Sequence, residues 1–313
     1  MMRAIRLHKF GSTEVLQSEQ VESPQPAAGE VVVNIAGAGV NPIDYKTRQG
    51  GGAAPFQGEP PLTLGWECSG TVAQVGAGVT AFVVGDRVCG LLNFPEPGRC
   101  YAEQVVAKAE QLARVPSSLD LTTIGALPLA GLTAWQALFD AAQLQAGQRV
   151  LVLAAAGGVG HLAIQLAKWK GAEVIGTASS ANHSWLQALG CDRLVDYRSE
   201  KVGEAVADVD VILDGMGGDT GVDVLACLKP GGISVTLPSV TAAQVTAAAE
   251  ARGCRAASIR VAPNAGQLAQ LLQLMEQGAL QLQIDQQFAL DDVANAHLRS
   301  ESGRARGKLL LKV

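Results

Sequence analysis

The chain has 313 residues, 48% of them hydrophobic and only 17% charged, which excludes a disordered polypeptide and leaves room for about two buried cores. The net charge of −5 provides no basic footprint, so nucleic acid is not an expected partner. The opening Met1-Met2-Arg3-Ala4-Ile5-Arg6-Leu7 lacks the long apolar core of a secretory signal, and the six cysteines lie far apart without a C-x-x-C pair, so reduced thiols, no structural zinc lobe, a cytoplasmic location and no membrane association are expected.

Residues 1–120 read as β-rich. Met2 to Leu7 alternates as a first strand, and Val31-Val32-Val33-Asn34-Ile35 resumes one after the turn Pro24 to Glu30. Further strand-like runs recur at Gly70 to Val75, Asp86 to Cys89 and Ala102 to Val106, separated by glycine-bearing turns at Gly76-Ala77-Gly78 and Gly85-Asp86. Such spacing suits a small barrel or sandwich. Gln49-Gly50-Gly51-Gly52-Ala53-Ala54-Pro55 reads as a mobile loop.

From about 121 to 260 the pattern changes. Helical patterns at Thr122 to Leu127 and Leu129 to Ala142 precede a regular alternation of strands and helices. The strands are Val150 to Leu153, Glu173 to Thr177, Leu194 to Asp196, Val209 to Leu213 and Ile233 to Leu237, with helices at Ser184 to Leu189, Gly221 to Leu228 and Ala242 to Arg252 among them. This is the signature of an α/β fold, a doubly wound parallel sheet with helices on both faces. Residues 261–313 hold an amphipathic helix (Gly266 to Gln277), a strand near Ile284 to Leu290, a helix from Asp291 and a closing strand from Lys308 to Val313, and read as a return to the first domain.

The most informative stretch runs from Val150 to Lys168. A short apolar strand leads into Ala155-Ala156-Gly157-Gly158-Val159-Gly160, and Leu162, Ile164, Leu166 and Ala167 then recur at helical spacing. A glycine turn between a buried strand and a helix lets the backbone approach a pyrophosphate at the positive end of the helix. The first glycine of the dinucleotide fingerprint is absent here, and a plain tight turn remains the competing reading.

Several short motifs occur in a fixed order: Asn41 to Gly50, Gly65-Trp66-Glu67-Cys68-Ser69-Gly70-Thr71-Val72, Gly85-Asp86-Arg87-Val88, Tyr101-Ala102-Glu103, Ala130 to Trp135, the glycine turn, and Gly303-Arg304-Ala305-Arg306-Gly307-Lys308. Together they resemble the quinone oxidoreductase branch of the medium-chain dehydrogenase/reductases, the zinc-free relatives of alcohol dehydrogenase. The resemblance spans essentially the whole chain. It implies a GroES-like β-barrel catalytic domain, split in sequence around a Rossmann domain, with the active site in the cleft between the domains. It also implies reduction of quinones or α,β-unsaturated carbonyl compounds with NADPH, in a homodimer.

Zinc-dependent members of that superfamily have histidine where this chain has Trp66. Their first cysteine ligand falls near Asp44, and their third lies in a segment resembling Pro128-Leu129-Ala130-Gly131; neither place holds cysteine or histidine here. Asp44 and Glu67 offer two oxygens where a catalytic zinc needs about three protein ligands, so no metal is expected. Without a metal to polarise a carbonyl, conjugated acceptors are the easier substrates, and catalysis consists mainly of orientation.

Asn41 resembles the family asparagine near the nicotinamide, although Asn41-Pro42 equally suits a helix start. Tyr45 and Lys46 are candidates for orienting substrate or delivering a proton. Asp44 and Arg48, four residues apart, are expected to pair. For the cofactor, Ala178 stands where NAD enzymes carry an acid for the ribose, and no Asp or Glu occurs from 174 to 191. Ser179, Ser180, Asn182 and His183 are candidate donors to a 2′-phosphate. The resemblance adds Tyr197 under the adenosine, Arg306 and Lys308 toward the phosphates, and Thr133 near the nicotinamide. Met216 and Gly217 lie just after a strand and Leu237 ends the next, at the edge where ligands bind. His8 and His297 have no motif around them and read as surface or packing residues. An enoyl-thioester reductase, a zinc-type alcohol dehydrogenase, or an NADPH-binding protein without turnover remain alternatives.

Overall fold

A computed structural model describes residues 1–313. The backbone divides into two compact units, one comprising 1–132, 262–278 and 282–313, the other 133–261 and 279–281.

The first unit is built on a seven-stranded, mostly antiparallel sheet. Its centre is the strand Glu30–Val40, which pairs on one side with Glu67–Val75. Its other side serves two partners in succession: Gln104–Lys108 along residues 30–34 and Lys308–Lys312 along residues 37–40. The ladder continues outward through Arg87–Leu91 to Leu112–Arg114, and at the other end from Lys308–Lys312 to Ile284–Ala289. A separate hairpin of Met2–Arg6 and Gln17–Val21 completes the β-rich part. Alternating side chains such as Val31, Val33, Val72, Val88, Val105, Leu309 and Leu311 fill the core.

Glu30–Val40 is six residues longer than the hydrophobic run expected from the sequence. Its second half, Ala36-Gly37-Ala38-Gly39-Val40, is poor in β-formers, yet close packing requires its glycines. A Cβ on Gly37 would lie 2.1 Å from the Thr122 carbonyl, and one on Gly39 would lie 2.0 Å from a Glu67 carboxylate oxygen. The contact at Gly37 also explains why the first unit runs to Leu132, beyond the expected break near 120. The short helix Leu121–Ile124 belongs to this sheet, with the Ser69 hydroxyl donating to the Leu121 carbonyl.

The second unit is a six-stranded parallel sheet in the order Arg193–Val195, Glu173–Thr177, Arg149–Val152, Val209–Asp214, Leu228–Thr236, Arg255–Ser258. The chain reverses direction across the sheet between Arg149–Val152 and Val209–Asp214, and the crevice beyond their carboxyl ends is where such sheets bind ligands. The helix Gly160–Trp169 is buried over Gly160 to Ala167. Each of Leu162, Ile164 and Leu166 is fully enclosed, which stabilises the unit by about 1.5–3 kcal/mol per side chain. All six cysteines are free and buried. No helix is long and apolar enough to cross a membrane.

Candidate functional site

Within the first unit, three neighbouring strands bring Asn41, Glu67 and Lys308 together. The register sets Leu309 beside Val40 and Cys68 beside Ala38, so Lys308 falls opposite Asn41 and Glu67 opposite Gly39. All three side chains are buried. The Lys308 ammonium donates to Glu67 Oε1 at 2.9 Å and to Asn41 Oδ1. Asn41 Nδ2 donates to the same Glu67 oxygen at 2.7 Å. Glu67 Oε2 accepts the Leu129 amide at 2.6 Å, in the first turn of the helix Pro128–Trp135, whose positive end favours the carboxylate.

Lys308, expected at the phosphates of the cofactor, is instead committed to this buried pair. Asn41 is a helix cap, as its Asn-Pro sequence suggested, and both ends of its amide are engaged as well. The helix Pro42–Arg48 begins with a capping box in which Asp44 Oδ2 accepts the Asn41 backbone N–H at 2.6 Å. Asp44 is fully buried and its Oδ1 has no hydrogen-bond partner. Burial above all pushes its carboxyl up to about 7, with the nearby Glu67 charge adding to the rise, against the Asn41 amide and Lys308.

Arg48 does not pair with Asp44. Its guanidinium is buried and makes an ion pair with Glu301 at 2.8 Å, donates to the Gly11 carbonyl, and faces His297 Nδ1 at 3.3 Å. A guanidinium only donates, so His297 Nδ1 accepts and its Nε2–H points at the Tyr101 hydroxyl, 3.4 Å away. Burial, then the Arg48 charge, pushes His297 down to about 3 and keeps it neutral. The Tyr101 hydroxyl in turn interacts with Asp44. Sequence reasoning missed Tyr101 and Arg48 as parts of this network, because only the fold brings residues 44, 101 and 297 together.

Tyr45 is half-buried and Lys46 exposed on the same helix. Burial and the Glu301 carboxylate raise the Tyr45 phenol above its ordinary value. Trp66 is enclosed, its indole N–H donating to the Glu96 carbonyl at 2.7 Å and its ring packed edge-on against Phe94. The glycine-rich segment read as a mobile loop is tied back through its Ala53 amide, which donates to Thr47 Oγ1, and just beyond it Gln57 Nε2 donates to the Pro95 carbonyl at 2.7 Å. His8 is exposed beside Glu19. The Arg306 amide donates to Asp285, which also pairs with Arg299.

In the second unit, the turn after Arg149–Val152 carries the expected register. Ala156, Gly157, Gly158 and Val159 are partly exposed and Gly160 is buried. A Cβ on Gly160 would lie 2.4 Å from the Ala154 carbonyl oxygen and 2.8 Å from Ala155 Cα, so only glycine fits there. The first glycine of the fingerprint is replaced by Ala155, which is buried; just before it, Ala154 adopts a left-handed backbone (φ 50°) and its carbonyl accepts the Gly157 amide. Across the switch point, Asp214 was not singled out from the sequence. It is fully buried at the end of its strand, and its Oδ1 accepts the amides of Met216 and Gly217 at 2.9 and 2.7 Å, while Thr236 donates to Oδ2. It therefore shapes the turn that presents Met216 and Gly217. Leu237 continues the next strand with its amide on the Asp214 carbonyl. Thr133 is buried in this unit. Beyond Glu173–Thr177, Ser179 is buried, Ser180 exposed and His183 half-buried, while Tyr197 is exposed under the Arg198 guanidinium.

Residues 27–117 match the alcohol dehydrogenase GroES-like domain family, and residues 189–311 match a family described as zinc-binding dehydrogenase. The chain is 32% identical to the quinone oxidoreductase of Pseudomonas aeruginosa, with 99% of each covered, and 36% identical to a Burkholderia 2-haloacrylate reductase over 74% of this chain and 72% of that one. Among solved structures, the quinone oxidoreductase of Coxiella burnetii superposes with a TM-score of 0.96 at 38% identity, covering 100% of this chain and 99% of that one. The Escherichia coli quinone oxidoreductase complexed with NADPH gives 0.88 at 27%, covering 99% and 100%. The fold and these likenesses define a medium-chain dehydrogenase/reductase. Within that superfamily the chain belongs to the zinc-free quinone oxidoreductase branch, and it is an oxidoreductase that works with a nicotinamide cofactor.

The zinc named in one family description does not fit these residues. No three His, Cys, Asp or Glu side chains gather closely enough to hold a metal ion, and the Glu67 carboxylate is already neutralised by the Lys308 ammonium.

Proposed function

We propose that the protein reduces quinones or α,β-unsaturated carbonyl compounds with NADPH, as a cytoplasmic homodimer. The observation that carries the reading is the Lys308–Glu67–Asn41 cluster, in which a buried ammonium occupies the Glu67 carboxylate, one of the two oxygens that could otherwise have served a zinc ion. A chain without a Lewis acid is suited to acceptors that delocalise the incoming charge unaided. The names of the Pseudomonas, Coxiella and Burkholderia relatives point the same way.

The bound nicotinamide supplies the hydride. In this reading the backbone of Ala156 to Gly160 receives the pyrophosphate, Met216, Gly217 and Leu237 border the dinucleotide, Thr133 lies by the nicotinamide, and Ser179, Ser180, His183 and Tyr197 border the adenosine end, with Arg306 toward the phosphates. Asn41, locked by Glu67 and Lys308, gives the acceptor side a rigid wall. Tyr45 orients the acceptor oxygen, and either it or Lys46 delivers the proton that balances the hydride. NADPH in preference to NADH is supported by the lack of an acid at Ala178. The test follows loss of NADPH absorbance with a panel of quinones and conjugated enones. No oxidation with any of them would overturn the proposal, as would stoichiometric zinc by elemental analysis. Sizing that gives a monomer would remove the dimer.

A further inference from the structure

We infer that Asp196 is the specificity-determining residue between NADPH and NADH, and that it keeps the preference for NADPH small. The inference rests on the nucleotide reading of the turn at residues 154–160. The strands Glu173–Thr177 and Arg193–Val195 run parallel with Thr177 beside Val195, and the Ala178 amide donates to the Val195 carbonyl at 3.1 Å. The residues that follow the two strands, Ala178 and Asp196, therefore share one stretch of the carboxyl edge. The acid absent from the end of the second strand is supplied by the end of the third.

Asp196 is built in as an anion. Its Oδ2 accepts the Ser180 amide at 3.0 Å and its Oδ1 accepts the Arg198 amide at 3.0 Å. These amides, the one from Arg198 first, hold its carboxyl below the ordinary range. Arg198 gives Asp196 its backbone, while its guanidinium lies over the Tyr197 ring. Meanwhile several of the groups around the expected 2′-phosphate place are engaged, Asn182 and His183 among them. The Ser180 amide is on Asp196, the His183 Nε2 faces the Ala178 carbonyl at 3.0 Å, and the Asn182 amide reaches the Ser179 hydroxyl at 3.3 Å. A ribose 2′-hydroxyl donates a hydrogen bond and is welcome beside a carboxylate. A 2′-phosphate brings about two further negative charges and is not, by analogy with other phosphomonoesters. Specificity here includes a repulsive element that lies beyond residues 174–191 in the chain.

The test measures dissociation constants of NADPH and NADH by protein fluorescence, for the wild-type chain and for Asp196→Asn. Asparagine keeps an acceptor oxygen for the Ser180 amide and removes the charge. The expected result is about tenfold tighter NADPH binding with NADH changed by less than about twofold, the gain shrinking between about 20 and 300 mM salt because the interaction is screened. Asp196→Ser, which also keeps an oxygen at this place, shifts the ratio in the same direction. An NADPH-to-NADH ratio unchanged in both variants at low salt overturns the inference and leaves the nucleotide site standing. A wild-type chain that binds neither dinucleotide overturns both.

Discussion

Replacing Lys308 by methionine tests the buried cluster directly. Lys308 and Glu67 are 3% and 0% exposed at the side chain, and the ammonium is the one cation touching that carboxylate. Methionine fills most of the lysine stem, so little cavity is made. The variant leaves Glu67 with the Asn41 and Leu129 N–H groups alone, and Asn41 Oδ1 without the Lys308 donor. Breaking a buried pair by removing one partner costs about 3–5 kcal/mol, because the surviving charge stays desolvated. For a domain of this size that lowers the unfolding midpoint by about 6–20 °C in calorimetry. The double variant Lys308→Met with Glu67→Met removes the stranded charge, and it recovers all but about 2 kcal/mol of the loss. A single variant that loses less than about 1 kcal/mol, or a double variant as unstable as the two single changes added together, would refute the argument that the ammonium neutralises Glu67.

The remaining predictions use the same geometry. Asp44 carries a raised pKa, so the folded state keeps its proton while the unfolded chain loses it; the stability this gives is full below about pH 4 and is lost as pH rises to about 7. His297 works the other way: its depressed pKa gives stability that is full above about 6.5 and is lost as pH falls toward 3. The two slopes oppose each other between about pH 4 and 6.5, so Asp44→Asn is expected to make stability climb more steeply with pH there, in urea titrations at fixed pH values. Gly160→Ala pushes a methyl into the Ala154 carbonyl and is expected to weaken NADPH binding at least about tenfold while leaving acceptor-independent folding of the first unit intact, as seen by Trp66 fluorescence in a chain lacking the other tryptophans. Tyr45→Phe is expected to lower kcat about tenfold or more with KM little changed if the phenol delivers the proton; Lys46→Ala carries that loss instead if the ammonium does.

What could be read from the sequence was whatever is local. The strand, turn and helix around Gly157 to Gly160 carry their own periodicity and backbone demands, and the alternation after residue 121 announces a parallel sheet. What stayed hidden depends on register between distant strands. Nothing near Lys308 distinguishes it from a basic residue of a solvated tail; only its pairing opposite Asn41 turns it inward. Gly39 reads as a strand breaker until the Glu67 carboxylate is seen to need its missing side chain. Asp196 follows a different strand from Ser180, and only the lateral pairing of the two strands brings its carboxylate to the Ser180 amide. The left-handed backbone at Ala154, just before the glycine register, stayed hidden because no glycine marks it.

The ammonium of Lys308 meets an amide 267 positions earlier in the chain. On a ribosome adding about 5–20 residues each second, Asn41 waits about 13–53 s for its partner after it is made. Once Gln104–Lys108 has been made, the first half of the strand Glu30–Val40 has its neighbour, while the edge at residues 37–40 stands open to any other strand until residues 308–312 follow. The segment that completes the cluster is also the one that closes this edge, so the nascent protein gains its buried charge pair and its protection from edge-to-edge association in the same late step.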